Sequence, residues 1–149
     1  MSTAWLMSTV VCDDVRKEEG NKLSYMGIYG NSILLPSFPC TLAKLRFVMT
    51  LMGPGTRKAP KSLVFRLFRD EDLLAEISLA GEALVEAAKN AASDSGKDSK
   101  RLTIGTVLQL FPLQLAEPCV LKARALCDGE EIKGGAWPVE GPPRSRHGE

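Results

Sequence analysis

A chain of 149 residues, 44% of them hydrophobic, is long enough for one ordinary domain and can fill one interior without disulfide or metal staples. Nineteen basic residues stand against 18 acidic ones, interspersed along the chain, for a net charge of +1. That balance excludes a polyanion-binding footprint and an acidic solvating tail.

No basic residue precedes Arg16, and Ser8 and Thr9 interrupt the apolar opening, so no secretory signal is expected and the expected compartment is the cytoplasm. Trp5 to about Val15 reads as an outgoing strand, Glu18-Glu19-Gly20-Asn21 as a turn, and Lys22 to Gly30 as the returning strand. Both arms are apolar at both parities: Trp5, Met7 and Val11 oppose Leu6, Val10 and Cys12, and Leu23 and Tyr25 oppose Met26 and Ile28. One core does not need that much apolar surface. The excess points to an association surface with Leu23, Tyr25, Met26, Ile28 and Tyr29 as its candidate residues. The competing reading has a helix and the Ile33 to Thr41 loop covering that face. Asp13 and Asp14 place one carboxylate on each sheet face, and the inner one needs a partner such as Arg16, Arg46 or a backbone amide.

The stretch Leu23 to Ala43 is uncharged and long enough for a bilayer, but Gly27, Gly30, Asn31, Pro36 and Pro39 divide it into strand, turn and loop. No membrane span is expected. Period-2 alternation then marks Leu45, Phe47, Met49 and Leu51 as the buried face of a strand. Gly53-Pro54-Gly55 reads as a connection. Leu63, Phe65 and Leu67 form the next strand, turned by Asp70-Glu71-Asp72 into Leu73, Ala75, Ile77 and Leu79. Glu82 to Ala92 breaks the pattern, with Leu84, Ala87, Ala88 and Ala91 at helical spacing, and Ser93 to Lys100 is a polar loop. A strand from Leu102 is expected to end or bulge at Pro112, where the apolar phase slips. A second hairpin runs Leu121 to Cys127, turns at Asp128-Gly129 and returns over Glu131 to Val139. The tail 141–149 is expected to be disordered.

Strands with one apolar face, joined by hairpins, bury those faces against another sheet. The expected fold is mainly β: an antiparallel, immunoglobulin-like β-sandwich over residues 1–140 with one short helix between strands, a small β-barrel being the alternative.

The only histidine, His147, lies in the tail, so Ser-His, Cys-His and histidine-metal arrangements lack a partner in the folded part, and no nucleophile-elbow or phosphate-loop motif is present. No enzyme and no cofactor are expected. Asp13, Asp14, Asp70, Asp72 and Asp128 at or near turns are weak candidates for calcium, and a pair of them could serve a glycosidase only if brought together in a cleft. Cys12, Cys40, Cys119 and Cys127 have gaps too irregular for a zinc knuckle and read as reduced thiols. The basic patches at Arg57, Lys58 and Lys61 and at Lys89, Lys97, Lys100 and Arg101 contain no aromatic platform, so no nucleic acid partner is expected.

The phrases Val11-Cys12-Asp13-Asp14-Val15-Arg16, Lys22-Leu23-Ser24, Gly27-Ile28-Tyr29-Gly30 and Pro36-Ser37-Phe38-Pro39, with Asp128-Gly129-Glu130, resemble a family of uncharacterised bacterial proteins known as a domain of unknown function. The resemblance runs over roughly Met7 to Val139. It implies a bacterial, cytoplasmic, β-rich domain and brings no activity, substrate or catalytic residue. The functional expectation is a non-enzymatic module that binds a protein partner or assembles with itself, with a calcium-binding sandwich as the alternative.

Overall fold

The computed structural model describes residues 5–54, 59–86, 101–110 and 112–142. In chain order the strands are β1 (Leu6–Glu18), β2 (Lys22–Ile28), β3 (Ile33–Leu34), β4 (Cys40–Leu42), β5 (Leu45–Pro54), β6 (Ser62–Arg69), β7 (Asp72–Ala80), β8 (Arg101–Leu110), β9 (Leu113–Leu115), β10 (Cys119–Cys127) and β11 (Glu130–Glu140). One sheet has the order β2-β1-β5-β8, the other β3-β11-β10-β6-β7, and β4 pairs with β9 in a small third ladder. All ladders are antiparallel except β3 on β11. The fold is a β-sandwich in which one sheet curls.

The core follows the period-2 pattern. Leu45, Phe47, Met49 and Leu51 of β5 meet Leu63, Phe65 and Leu67 of β6 and Leu121, Ala123 and Ala125 of β10, all fully buried in one apolar cluster. Burying each of the larger side chains contributes about 1.5–3 kcal/mol, so this alternation holds the two sheets together. Phe47 of one sheet meets Trp137 of the other edge to face, with centroids 5.8 Å apart and planes at 82°. In β1, Trp5-side parity wins the interior: Trp5 and Val11 are buried in the core, with Met7 packed against it.

Turn chemistry explains the hairpins. Asp128 and Gly129 both have positive φ, 48° and 87°, which sets the tight return of β10 into β11, and Gly20 and Asn21 do the same between β1 and β2 at 77° and 59°. Inside the last hairpin β11 carries one extra residue, since Arg124 opposes Lys133 while Lys122 opposes Ala136. Gly135 takes φ 117° in this bulge, and Nη1 of Arg124 donates to the Ala123 and Gly135 carbonyls at 2.7 and 3.1 Å, pinning it.

Several expectations need correction. The Ile33 to Thr41 segment is not all loop: β3 lies parallel to β11 through Ile33 opposite Val139, and β4 starts at Cys40. Gly53 and Pro54 are strand residues, paired with Leu102 and Arg101. Strand continues there because Gly53 leaves room for the Trp5 ring, which lies where a Cβ would be. The break at Pro112 is as expected: β8 ends at Leu110, and Leu113 and Leu115, of the other parity, belong to a separate strand, β9. The expected helix begins at residue 82 and is described through 86, with Leu84 in the core. The rest of it, the Ser93 to Lys100 loop and the tail beyond Pro142 lie outside the described residues.

Candidate functional site

The paired carboxylates of β1 are internal fastenings. Asp14 accepts an ion-paired hydrogen bond from Nη1 of Arg46 at 2.9 Å, and its other local partner is the Val15 amide, also at 2.9 Å. The same Nη1 donates to the Asp13 carbonyl at 2.7 Å, so one guanidinium ties β5 to two successive residues of β1. Asp13 points the other way. Its Oδ1 accepts from the Tyr29 hydroxyl at 3.0 Å, and its carboxylate occupies the space a side chain at Gly27 would need. Burial, then the hydrogen bond to Asp13 and its charge, push the Tyr29 phenol up to about 12. Tyr29 is thus packed against the core, unlike the surface residue expected of it.

The other acidic candidates are dispersed. Asp70 Oδ1 accepts from the Val120 amide at 3.0 Å, and Asp128 Oδ1 accepts from the Lys61 and Ser62 amides, each at 2.9 Å. These two turns lie at opposite ends of the β6–β10 ladder, eight residues or ~27 Å apart along the strand, while Asp13 and Asp14 belong to the other sheet. Among the described residues no group of three or more potential ligands could hold a metal ion. Asp70 and Asp72 do share a cleft of ≈ 210 Å³ with Arg69, Leu115, Ala116, Glu117 and Cys119. Burial, reinforced by Asp70, raises the Cys119 thiol there, and burial likewise raises Cys12, so neither thiol is primed as a nucleophile. All four cysteines are thiols.

The outer face of the first sheet is the distinctive surface. Because odd-numbered residues of β5 fill the core, Val48 and Thr50 face outward, beside Val107 and Gly105 of β8. Leu23 and Tyr25 of β2 join Val48, Thr50, Gly105, Thr106 and Val107 in lining one shallow, largely apolar depression. Val48 is only 7% exposed although it lies outside the core cluster. Cys12, opposite Arg46, is buried in the same way. Around this covered patch Leu6 (67%), Ile28 (61%) and Leu23 (46%) stand exposed. Met26, across from Asp14, is half-buried. Of the described residues of the helix and the loop, Leu84, Ile33 and Leu35 pack into the core between the sheets.

A family model described as a family of unknown function, DUF6941, matches residues 7–139. The chain belongs to this family. No curated protein and no solved structure matches it. Within DUF6941 this chain therefore has a β-sandwich with an apolar outer depression, and the family description assigns it no activity. Among the described residues, no helix is long and apolar enough to cross a membrane, and Leu23 to Ala43 forms β2, β3, β4 and their connections.

Val48, Thr50, Gly105 and Val107 were not among the candidate residues read from sequence. Their signal was available in the outward parity of Val48 and in Val107, an apolar residue out of phase with Ile104 and Leu108. The Gly134-Gly135 pair in mid-strand was the unread mark of the bulge.

Proposed function

We propose that this DUF6941 chain is a non-catalytic protein-association module that works through the outer face of the β2-β1-β5-β8 sheet. The observation that carries the reading is the apolar depression where Leu23 and Tyr25 meet Val48 and Val107, flanked by exposed Leu6 and Ile28. Apolar side chains gathered on one sheet face, away from the core, lower their free energy by meeting another protein surface. The bacterial, cytoplasmic setting implied by the resemblance of the N-terminal phrase agrees with four cysteines kept as thiols.

The test compares the wild-type chain with Leu23→Asp and Tyr25→Asp in light scattering and in affinity capture from the source cells. Association that both substitutions weaken, with far-UV circular dichroism unchanged, supports this surface. Association unaffected by either overturns it.

A further inference from the structure

We infer that the surface serves self-association: two copies pair antiparallel through the open edges of β8, about a twofold axis passing by Thr106. This rests on the association reading above and names its partner. The sheets end in four strands, and they are not equally available. Strand β2 is seven residues long, opens on Lys22 and carries Gly27 at φ 68°, and β3 is two residues long. Strand β7 carries Asp72 and Glu76 and pairs with a register break at Leu67 and Phe68. Strand β8 pairs with β5 in unbroken register over ten residues, has no charged residue and no proline from Leu102 to Leu110, and has no neighbour on its other side among the described residues. Natural edge strands are blunted by charge, proline or bulges, and the three other ends show these devices or are short. The β8 edge shows none of them, leaving a row of main-chain donors and acceptors in extended register.

The residue order of β8 says what can pair there. Read outward from Thr106, it is self-complementary: Gly105 mirrors Val107, Ile104 mirrors Leu108, Thr103 mirrors Gln109 and Leu102 mirrors Leu110. In an antiparallel pair centred on Thr106, each Val107 sits opposite the hydrogen of a Gly105, polar Thr103 meets polar Gln109, and Ile104 meets Leu108 on the core side. Twofold association demands this kind of match of one surface with itself. With no charge from Leu102 to Leu110, Arg101 at the strand's far end from the axis, and a net charge of +1 per chain, like-charge repulsion is absent at the centre of the seam and small overall.

The area sets the expected strength. Ten residues extend ~34 Å, and a band one strand spacing wide with side chains on both faces covers about 400–500 Å² per copy, short of the ~800 Å² of a standard interface. The adjoining depression, with Tyr25 and Leu23 at its far side, adds to this. The dimer is therefore in the weak class, forming over micromolar to submillimolar concentrations.

The experiment is sedimentation velocity from about 1 to 500 μM, with hydrogen exchange of the β8 amides at both ends of the range. The expected result is a monomer converting to a dimer, with β8 amides gaining protection at high concentration. Val107→Lys and Val107→Glu, whose side chains are diagonal neighbours across the axis, each hold the chain monomeric, and mixing the two restores a heterodimer. A wild-type chain that stays monomeric with β8 amides unprotected at 500 μM overturns the inference. So does a dimer whose β8 amides gain no protection, a measurement that needs no variant to fold. If the monomer captures a different protein through Leu23 and Tyr25, the inference falls and the association reading stands. If it captures nothing that Tyr25→Asp abolishes, both fall.

Discussion

Arg46 offers the sharpest test of how the N-terminal strands are held. Its side chain is 14% exposed, its Nη1 spans the Asp13 carbonyl and the Asp14 carboxylate, and Asp14 is itself one-third exposed. Replacing Arg46 by Met keeps the aliphatic stem and removes both bonds, leaving a partly buried carboxylate and a carbonyl without their donor. Hydrogen bonds to charged groups are worth about 1.5–3 kcal/mol each, and partial solvation of Asp14 reduces its share, so the expected loss is about 2–3 kcal/mol. For a chain of this size that shifts the urea midpoint by about 1 M and Tm by roughly 5–10 °C. Arg66 is the internal control. Its bond to Glu76 is 3.1 Å with side chains 36% and 43% exposed, and Arg66→Met is expected to cost about 0–1 kcal/mol. A double-mutant cycle of Arg46→Met with Asp14→Asn isolates the ion pair and should return less than the whole loss, because the bond to the Asp13 carbonyl stays outside the cycle. If Arg46→Met and Arg66→Met cost the same within 0.5 kcal/mol, the reasoning is wrong.

Two further outcomes follow from single atoms. Thr9 faces the core beside Met49, and its Oγ1 is buried with no hydrogen-bond partner; Thr9→Val keeps the shape, removes the unpaired hydroxyl and is expected to raise stability by about 1 kcal/mol in urea titration, whereas a loss would show that the hydroxyl has a partner. The Tyr29 phenol, held up to about 12, binds its proton more tightly in the folded chain than the ordinary value near 10, so its contribution is complete below pH 10 and is lost as pH rises towards 12. In a Tyr25→Phe background, absorbance near 295 nm followed with circular dichroism should show one late phenolate transition, moved down by Asp13→Asn; a transition near pH 10 in the folded chain would refute the assignment.

Local chemistry was legible in the sequence, and non-local chemistry was not. The Asp128-Gly129 turn and the alternation of β5 and β10 are set by local patterns and appear as expected, whereas Arg46 was one of three partners open to the inner carboxylate, and the structure gives Asp14 to Arg46 and Asp13 to Tyr29. Strand β3 escaped because its partner β11 is about a hundred residues away and its own two residues carry no periodicity. Gly53 and Pro54 read as punctuation, yet Gly53 extends β5 because the Trp5 ring needs that space. The turn carboxylates were weak calcium candidates because they cluster at turns, and the structure commits Asp70 and Asp128 to backbone amides at opposite ends of a ladder. For the candidate surface, the excess of apolar residues was readable, while the contribution of β5 and β8 required knowing the sheet order.

That sheet order also changes what the N-terminal phrase means. Cys12 is buried, Asp13 lies against Gly27 and holds Tyr29, and Asp14 holds Arg46. The residues that make the phrase recognisable are thus consumed in folding β1 against β2 and β5, and their side chains have little left to offer a partner. Function must therefore be sought in groups whose bonding is incomplete. Among the described residues two such sets adjoin each other: the apolar side chains of the outer depression and the main-chain edge of β8. A partner strand added to β8 would satisfy the edge and shelter Val107 in one step, so the two surfaces are saturated by the same event. This coupling is why charge placed at Val107 tests more than charge placed at Ile28, which is exposed but lies on β2, at the opposite edge of the sheet from β8.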